Sequence, residues 1–145
     1  MKPRVKFITA ALISLPLLLS LTSCALLENT CSTLRSDVAQ KESWGGILFG
    51  EYQLQRNRFL DGDDTNSRLS QSAADLLGNY IEVHELILEA PQCLNDPSLE
   101  QVLRGGIMTI QAKVARVREG NLNAYLEMQG ELNDGYQSLS LWIAD

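Results

Sequence analysis

The chain has 145 residues, 12 of them basic and 18 acidic, for a net charge of −6. That length sets one small domain, and the acidic balance argues against a nucleic-acid partner and against electrostatic docking on anionic lipid. Three cysteines are an odd number, so at least one thiol stays outside any internal pairing.

Lys2, Arg4 and Lys6 come first, followed by an uncharged, largely apolar run over residues 7–22. A basic start, a short apolar core and small residues at the end are the layout of a secretory signal. An uncleaved anchor is the competing reading. The run is short of the roughly 20 residues of a spanning helix, and Pro16 interrupts it. Leu21-Thr22-Ser23-Cys24 then resembles the lipobox of bacterial lipoproteins: aliphatic, small, small, cysteine. Small residues before the cut suit a peptidase cleft, and only a thiol forms the thioether to diacylglycerol. The resemblance covers residues 1–24 alone. It implies that Cys24 is lipidated, that residues 1–23 are removed, and that the protein sits on the outer face of a bacterial membrane. Ala25, where an aspartate would retain a lipoprotein at the inner membrane of an enteric-type cell, implies no such retention. Cys31 does not fit the pattern, because Glu28-Asn29-Thr30 precedes it.

Loss of Lys2, Arg4 and Lys6 with the signal takes the net charge from −6 to −9. Exported chains meet an oxidising compartment, where cysteines pair. With Cys24 given to lipid, Cys31 and Cys93 remain, and a disulfide between them is the expectation. Two buried free thiols are the alternative. Residues 24–30 form a short tether, at most about 25 Å long if fully extended, so the domain over residues 31–145 lies close to the bilayer.

Helical periodicity dominates that domain, with no sustained alternation that argues for strands. In the first helix Leu34, Val38, Leu48, Tyr52 and Phe59 share a face, and Gly62 is the stop. Gly45-Gly46 sits in its middle, and each glycine costs about 1 kcal/mol against alanine in a helix. A kink or break is expected there, or close packing against another backbone. The second helix, from about Ser67 to Ala90, carries Leu69, Ala73, Leu76, Leu77, Tyr80, Ile81, His84, Ile87 and Leu88, and Pro91 ends it. The third begins at Asp96-Pro97, with Asp96 as N-cap, Pro97 in the first position and Glu100 in the first turn. Its stripe is Leu99, Leu103, Gly106, Ile110, Val114 and Val117, and Gly120 ends it. A fourth helix follows with Leu122, Tyr125, Met128, Leu132, Tyr136, Leu139, Trp142 and Ile143. The fold expected is all-α: an antiparallel four-helix bundle with one disulfide. In an up-down-up-down bundle Cys31 and Cys93 fall at the same end, beside Trp142, which is read as a core residue.

The chemistry-bearing residues form no catalytic or cofactor constellation. His84 is the only histidine and shares the stripe of Tyr80 and Leu88, which reads as a partly buried structural group. A carboxylate-bridged metal bundle needs Glu-x-x-His on two helices, and the zincin motif needs a second histidine. Asp61-Gly62-Asp63-Asp64-Thr65-Asn66 resembles a calcium loop at first, but Asn66 and Ser72 stand where the EF-hand register needs glycine and glutamate. The glycine pairs lack a phosphate-loop context. The function expected is non-enzymatic: an interaction module of the cell envelope, held by lipid and meeting an unidentified envelope protein.

Arg56, Arg58, Arg68, Lys113, Arg116 and Arg118, with Asp61, Asp63, Asp64 and Glu119, map to the end away from the membrane. Cations in the last turns of two helices offset the helix dipoles, which accounts for Arg56, Arg58, Arg116 and Arg118 but not Arg68. A partner-binding tip is the functional reading of the same residues. The second functional hypothesis is a small or apolar ligand held between helices by Tyr52, Tyr80, His84 and Tyr125.

Overall fold

The computed structural model describes residues 15–63, 66–121 and 138–145, with side chains from Leu27 onward. Three α-helices dominate: α1 (Leu15–Leu60), α2 (Asn66–Leu88) and α3 (Ser98–Arg118). Two 3-10 turns, Pro91–Cys93 and Leu139–Trp142, complete the regular structure of the described residues.

Glycines set the C-terminal stops of α1 and α3. Gly62 and Gly120 have φ of 80° and 76°, the left-handed geometry that glycine adopts without penalty. At each, the turn closes with a pair of backbone bonds. Gly62 N–H donates to Phe59 O at 3.2 Å and Asp63 N–H to Arg58 O at 2.8 Å. Gly120 N–H donates to Val117 O at 3.0 Å and Asn121 N–H to Arg116 O at 3.3 Å. Both are Schellman closures, which satisfy carbonyls that a helix end leaves open. At the start of α3 the Asp96 carboxylate accepts from Ser98 N–H at 2.9 Å, and this bond lowers the Asp96 pKa. Pro97 is the N-cap residue, so the helix begins one residue later than the sequence indicates.

The expected interruption at Gly45-Gly46 does not occur: α1 runs unbroken through it. Gly45 instead faces a side chain on α2. A Cβ built on Gly45 would lie 2.6 Å from Asn79 Nδ2, while one on Gly46 would meet nothing within 4 Å. Gly45 makes room for the buried Asn79 amide, which donates to Lys41 O at 3.3 Å. The two glycines therefore separate on substitution. Gly46→Ala is expected to stabilise the chain by up to about 1 kcal/mol through helix propensity. Gly45→Ala is expected to lose more than that gain, because displacing a buried amide from its bond costs about 1–3 kcal/mol. Thermal unfolding of the two variants beside the parent checks the opposite signs.

Helices α1 and α2 run antiparallel, with Lys41 opposite Glu82 and Gly45 opposite Asn79. Helix α3 runs antiparallel to α2: Ser70 Oγ donates to Val117 O at 3.1 Å, and Gly106 lies against His84. Two core clusters stack along the axis. One joins Cys31, Leu34 and Val38 of α1, Val83 and Ile87 of α2, Leu103 of α3, and Leu139 and Ile143. The other joins Tyr52, Leu69, Ala73, Leu76, Leu77, Tyr80 and Val117. The α2 stripe was legible in the sequence, whereas Val83 was not, although it is fully buried.

The last expected helix does not form over its described residues. Leu139, Trp142 and Ile143 do not lie on an α-helix. Leu139–Trp142 is a 3-10 turn, and Ile143 makes an antiparallel bridge to Leu94. Glu42 of α1 captures the turn: its carboxylate accepts from the Leu139 and Ser140 amides and, at 2.6 Å, from Ser138 Oγ. Leu122, Tyr125, Met128, Leu132 and Tyr136 lie outside the described residues.

Candidate functional site

The bundle has two chemically different ends. At one, Cys31 and Cys93 form a disulfide with their Cα atoms 5.2 Å apart. The C-terminal segment is strapped across it. Ala144 N–H donates to Cys93 O at 2.8 Å, and Asn95 N–H to Trp142 O at 2.9 Å. Asn95 Nδ2 donates to Leu141 O at 2.9 Å. From α1, Arg35 donates to Ile143 O and pairs with the Asp145 carboxylate. Trp142 is half-buried and packs on the disulfide-end core. Cys24 lies seven residues before Cys31 on the same helix, about 10 Å along its axis at roughly 1.5 Å per residue. The segment between them is helical, well inside the limit of about 25 Å for an extended tether.

At the other end, the α1 stop, the α2 start and the α3 stop meet. A Cβ on Gly120 would sit 3.6 Å from Asn66 Nδ2, next to the Ser70–Val117 bond. The structure thereby gathers Arg58, Asp61, Asp63, Arg116 and Arg118, all exposed, at one tip, with Arg68 and Glu119 beside them. Asp64 lies outside the described residues. Arg56 departs from the open tip: it is half-buried, its Nε makes no hydrogen bond, and its charge acts on Tyr52.

The expected ligand-lining residues are divided. Tyr52 and Tyr80 belong to one core cluster, and Tyr125 lies outside the described residues. Burial pushes the Tyr80 phenol up to about 12 and raises that of Tyr52, with Arg56 opposing the latter. Both therefore stay protonated near neutral pH. His84 faces α3, where a Cβ on Gly106 would come within 2.9 Å of its Nε2, and its Nδ1 lies 2.6 Å from Tyr80 O, positioned to donate. Burial lowers the His84 pKa, with the Tyr80 carbonyl acting against it. A histidine whose folded pKa falls below its ordinary 6.5 binds fewer protons in the native state than in the unfolded one. Its stabilising contribution is present above that value and is lost as pH falls through the folded pKa. The unfolding midpoint is expected to drop on acidification below 6.5, and His84→Gln to flatten that part of the profile.

Two clefts open on the outer side of the α1–α2 seam. One of about 500 Å³ is lined by Gln40, Lys41, Ser43, Trp44, Ile47 and Asn79. The next, about 240 Å³, is lined by Leu48, Glu51, Gln55, Arg68, Gln71, Ser72 and Asp75. Trp44 and Ile47 remain 55% and 59% exposed. Neither cleft includes Tyr52, Tyr80 or His84.

No family model, curated protein or solved structure matches the chain. Among the described residues no group of three His, Cys, Asp or Glu side chains is arranged to hold a metal ion, and no helix is long and apolar enough to cross a membrane.

The sequence carried no signal for the outer furrow. Trp44 and Ile47 are three apart, the spacing of core residues on a helix, and only the position of α2 decides that they face outward. The Glu42 hook was equally hidden, since its partners lie about a hundred residues away in the chain.

Proposed function

We propose that the protein is a bacterial envelope lipoprotein, acylated on Cys24 after loss of residues 1–23, that acts as a non-catalytic interaction module. The observation that carries this reading is the division of labour among the cysteines. Cys31 is 4% exposed and bonded to Cys93, which leaves Cys24, at the end of the Leu21-Thr22-Ser23 box, as the remaining cysteine. The anchor then sits two helical turns from the disulfide end, and the charged tip projects away from the bilayer.

The finer architecture in this reading is an antiparallel four-helix bundle. Its support is the position of the residues flanking the fourth helix. Asn121 leaves α3 at the tip, and Ser138 resumes beside Glu42.

The tip is the surface presented to an envelope partner. Arg58, Asp61, Asp63, Arg116 and Arg118 changed together to serine should remove the partner captured from solubilised membranes while leaving the unfolding midpoint close to the parent's. An unchanged set of captured proteins would reject the tip as the binding surface.

A further inference from the structure

We infer that the outer α1–α2 furrow is the interface with a second copy of this chain, the two copies lying side by side about a two-fold axis parallel to the helices. The direction of that axis rests on the lipid-anchor reading, which points every copy the same way. The interface itself rests on the furrow.

Three observations point to a copy of the same chain. First, the knob and the hole lie at one level. Trp44 is 55% exposed and lines a cleft whose α1 residues run from Gln40 to Ile47. A two-fold parallel to α1 therefore brings each Trp44 opposite the other copy's cleft at the same height. At about 500 Å³ the cleft falls within the range of about 300–1,000 Å³ that takes small ligands, room enough for an indole. Second, the rim carries both signs. Lys41 Nζ and Glu82 Oε2 are 2.7 Å apart with both side chains well exposed, and Glu51, Arg68 and Asp75 line the next cleft. An isologous interface sets each residue of a patch against that same patch, so a rim of mixed sign finds opposite charges in its own copy. A strongly basic or acidic partner would meet repulsion at part of it.

Third, the described elements leave this face open. The C-terminal segment docks on α1 through Arg35 and Glu42, and α3 packs on α2 through Ser70 and His84. None of these contacts involves Trp44 or Ile47. Anchoring both copies in one bilayer adds an effective-concentration advantage, because it removes most of the orientational search.

Oxidative cross-linking of the full chain in its native membranes tests the inference. In Ile47→Cys, catalysed air oxidation should give a dimer-sized band on a non-reducing gel, far stronger than in Met108→Cys, whose site on α3 is 72% exposed but off the furrow. Adding Trp44→Ala to Ile47→Cys should weaken association by about thirtyfold, the effect of truncating a central aromatic anchor. Equal cross-linking at positions 47 and 108 would mean chance collision and overturn the inference. So would no dimer at all, or a band in which the thiol at position 47 is joined to a different protein. Acyl-label uptake read from the same samples separates the two ideas. A labelled Ile47→Cys chain that forms no dimer defeats the interface alone, and an unlabelled chain defeats the anchor.

Discussion

Replacing Cys31 and Cys93 together by serine should lower the unfolding free energy by about 4 kcal/mol, the chain-entropy value for a loop of this length. The bridge spans 62 residues of sequence and joins α1 to the turn between α2 and α3. Against the total of about 5–15 kcal/mol typical of a domain, that is a large share. The loss should also be local before it is global. Cys93 O holds Ala144 N–H, and Leu94 bridges Ile143, so the C-terminal strap depends on the turn that the disulfide fixes. Amide exchange at Ile143 and Ala144 should accelerate at denaturant concentrations where α2 is still protected. Reducing the unmodified protein should reproduce both effects. An unfolding midpoint unchanged by reduction would show that the bridge does not stabilise the fold.

Cys24→Ser is expected to have the largest effect on the protein's fate and almost none on its folded domain. Serine offers no thiol, so no thioether to diacylglycerol forms, and the cut that depends on that modification does not follow. The chain should retain residues 1–23 and take up no acyl label. Two acyl chains bury many methylenes at about 0.8 kcal/mol each, which is what distinguishes stable anchoring from reversible contact. Cys31→Ser is the informative contrast. It should destabilise the domain yet leave acylation intact, because Cys31 is buried, bonded and preceded by Glu28-Asn29-Thr30.

Local rules carried the reading of the fold furthest. The α2 stripe and the glycine stops at Gly62 and Gly120 each rest on chemistry confined to a few neighbouring residues, and each is present in the structure, while the Asp96-Pro97 start is displaced by one residue. The cysteine pairing followed from counting and compartment, and topology agreed with it. Long-range partners decided the failures. Gly45-Gly46 looked like a break because its partner, the Asn79 side chain, comes from another helix. Leu139 and Ile143 are four apart and read as helical, but the carboxylate of Glu42 and the guanidinium of Arg35 hold that stretch in a turn followed by an extended segment. For the sites the same division holds. The tip arginines were legible as helix ends, whereas Arg56 turned inward toward Tyr52 and the Trp44 furrow was invisible until α2 was in place.

Anchoring, orientation and the direction of the two-fold between copies all depend on Cys24 carrying lipid and beginning the mature chain. Tandem mass spectrometry of the N-terminal peptide from membrane-purified protein tests this most directly. The expected peptide starts at Cys24 and bears a diacylglyceryl thioether, with Cys31 and Cys93 linked to each other in the same preparation. A peptide that runs through Ser23 into an unmodified Cys24, or one that begins elsewhere, would contradict it.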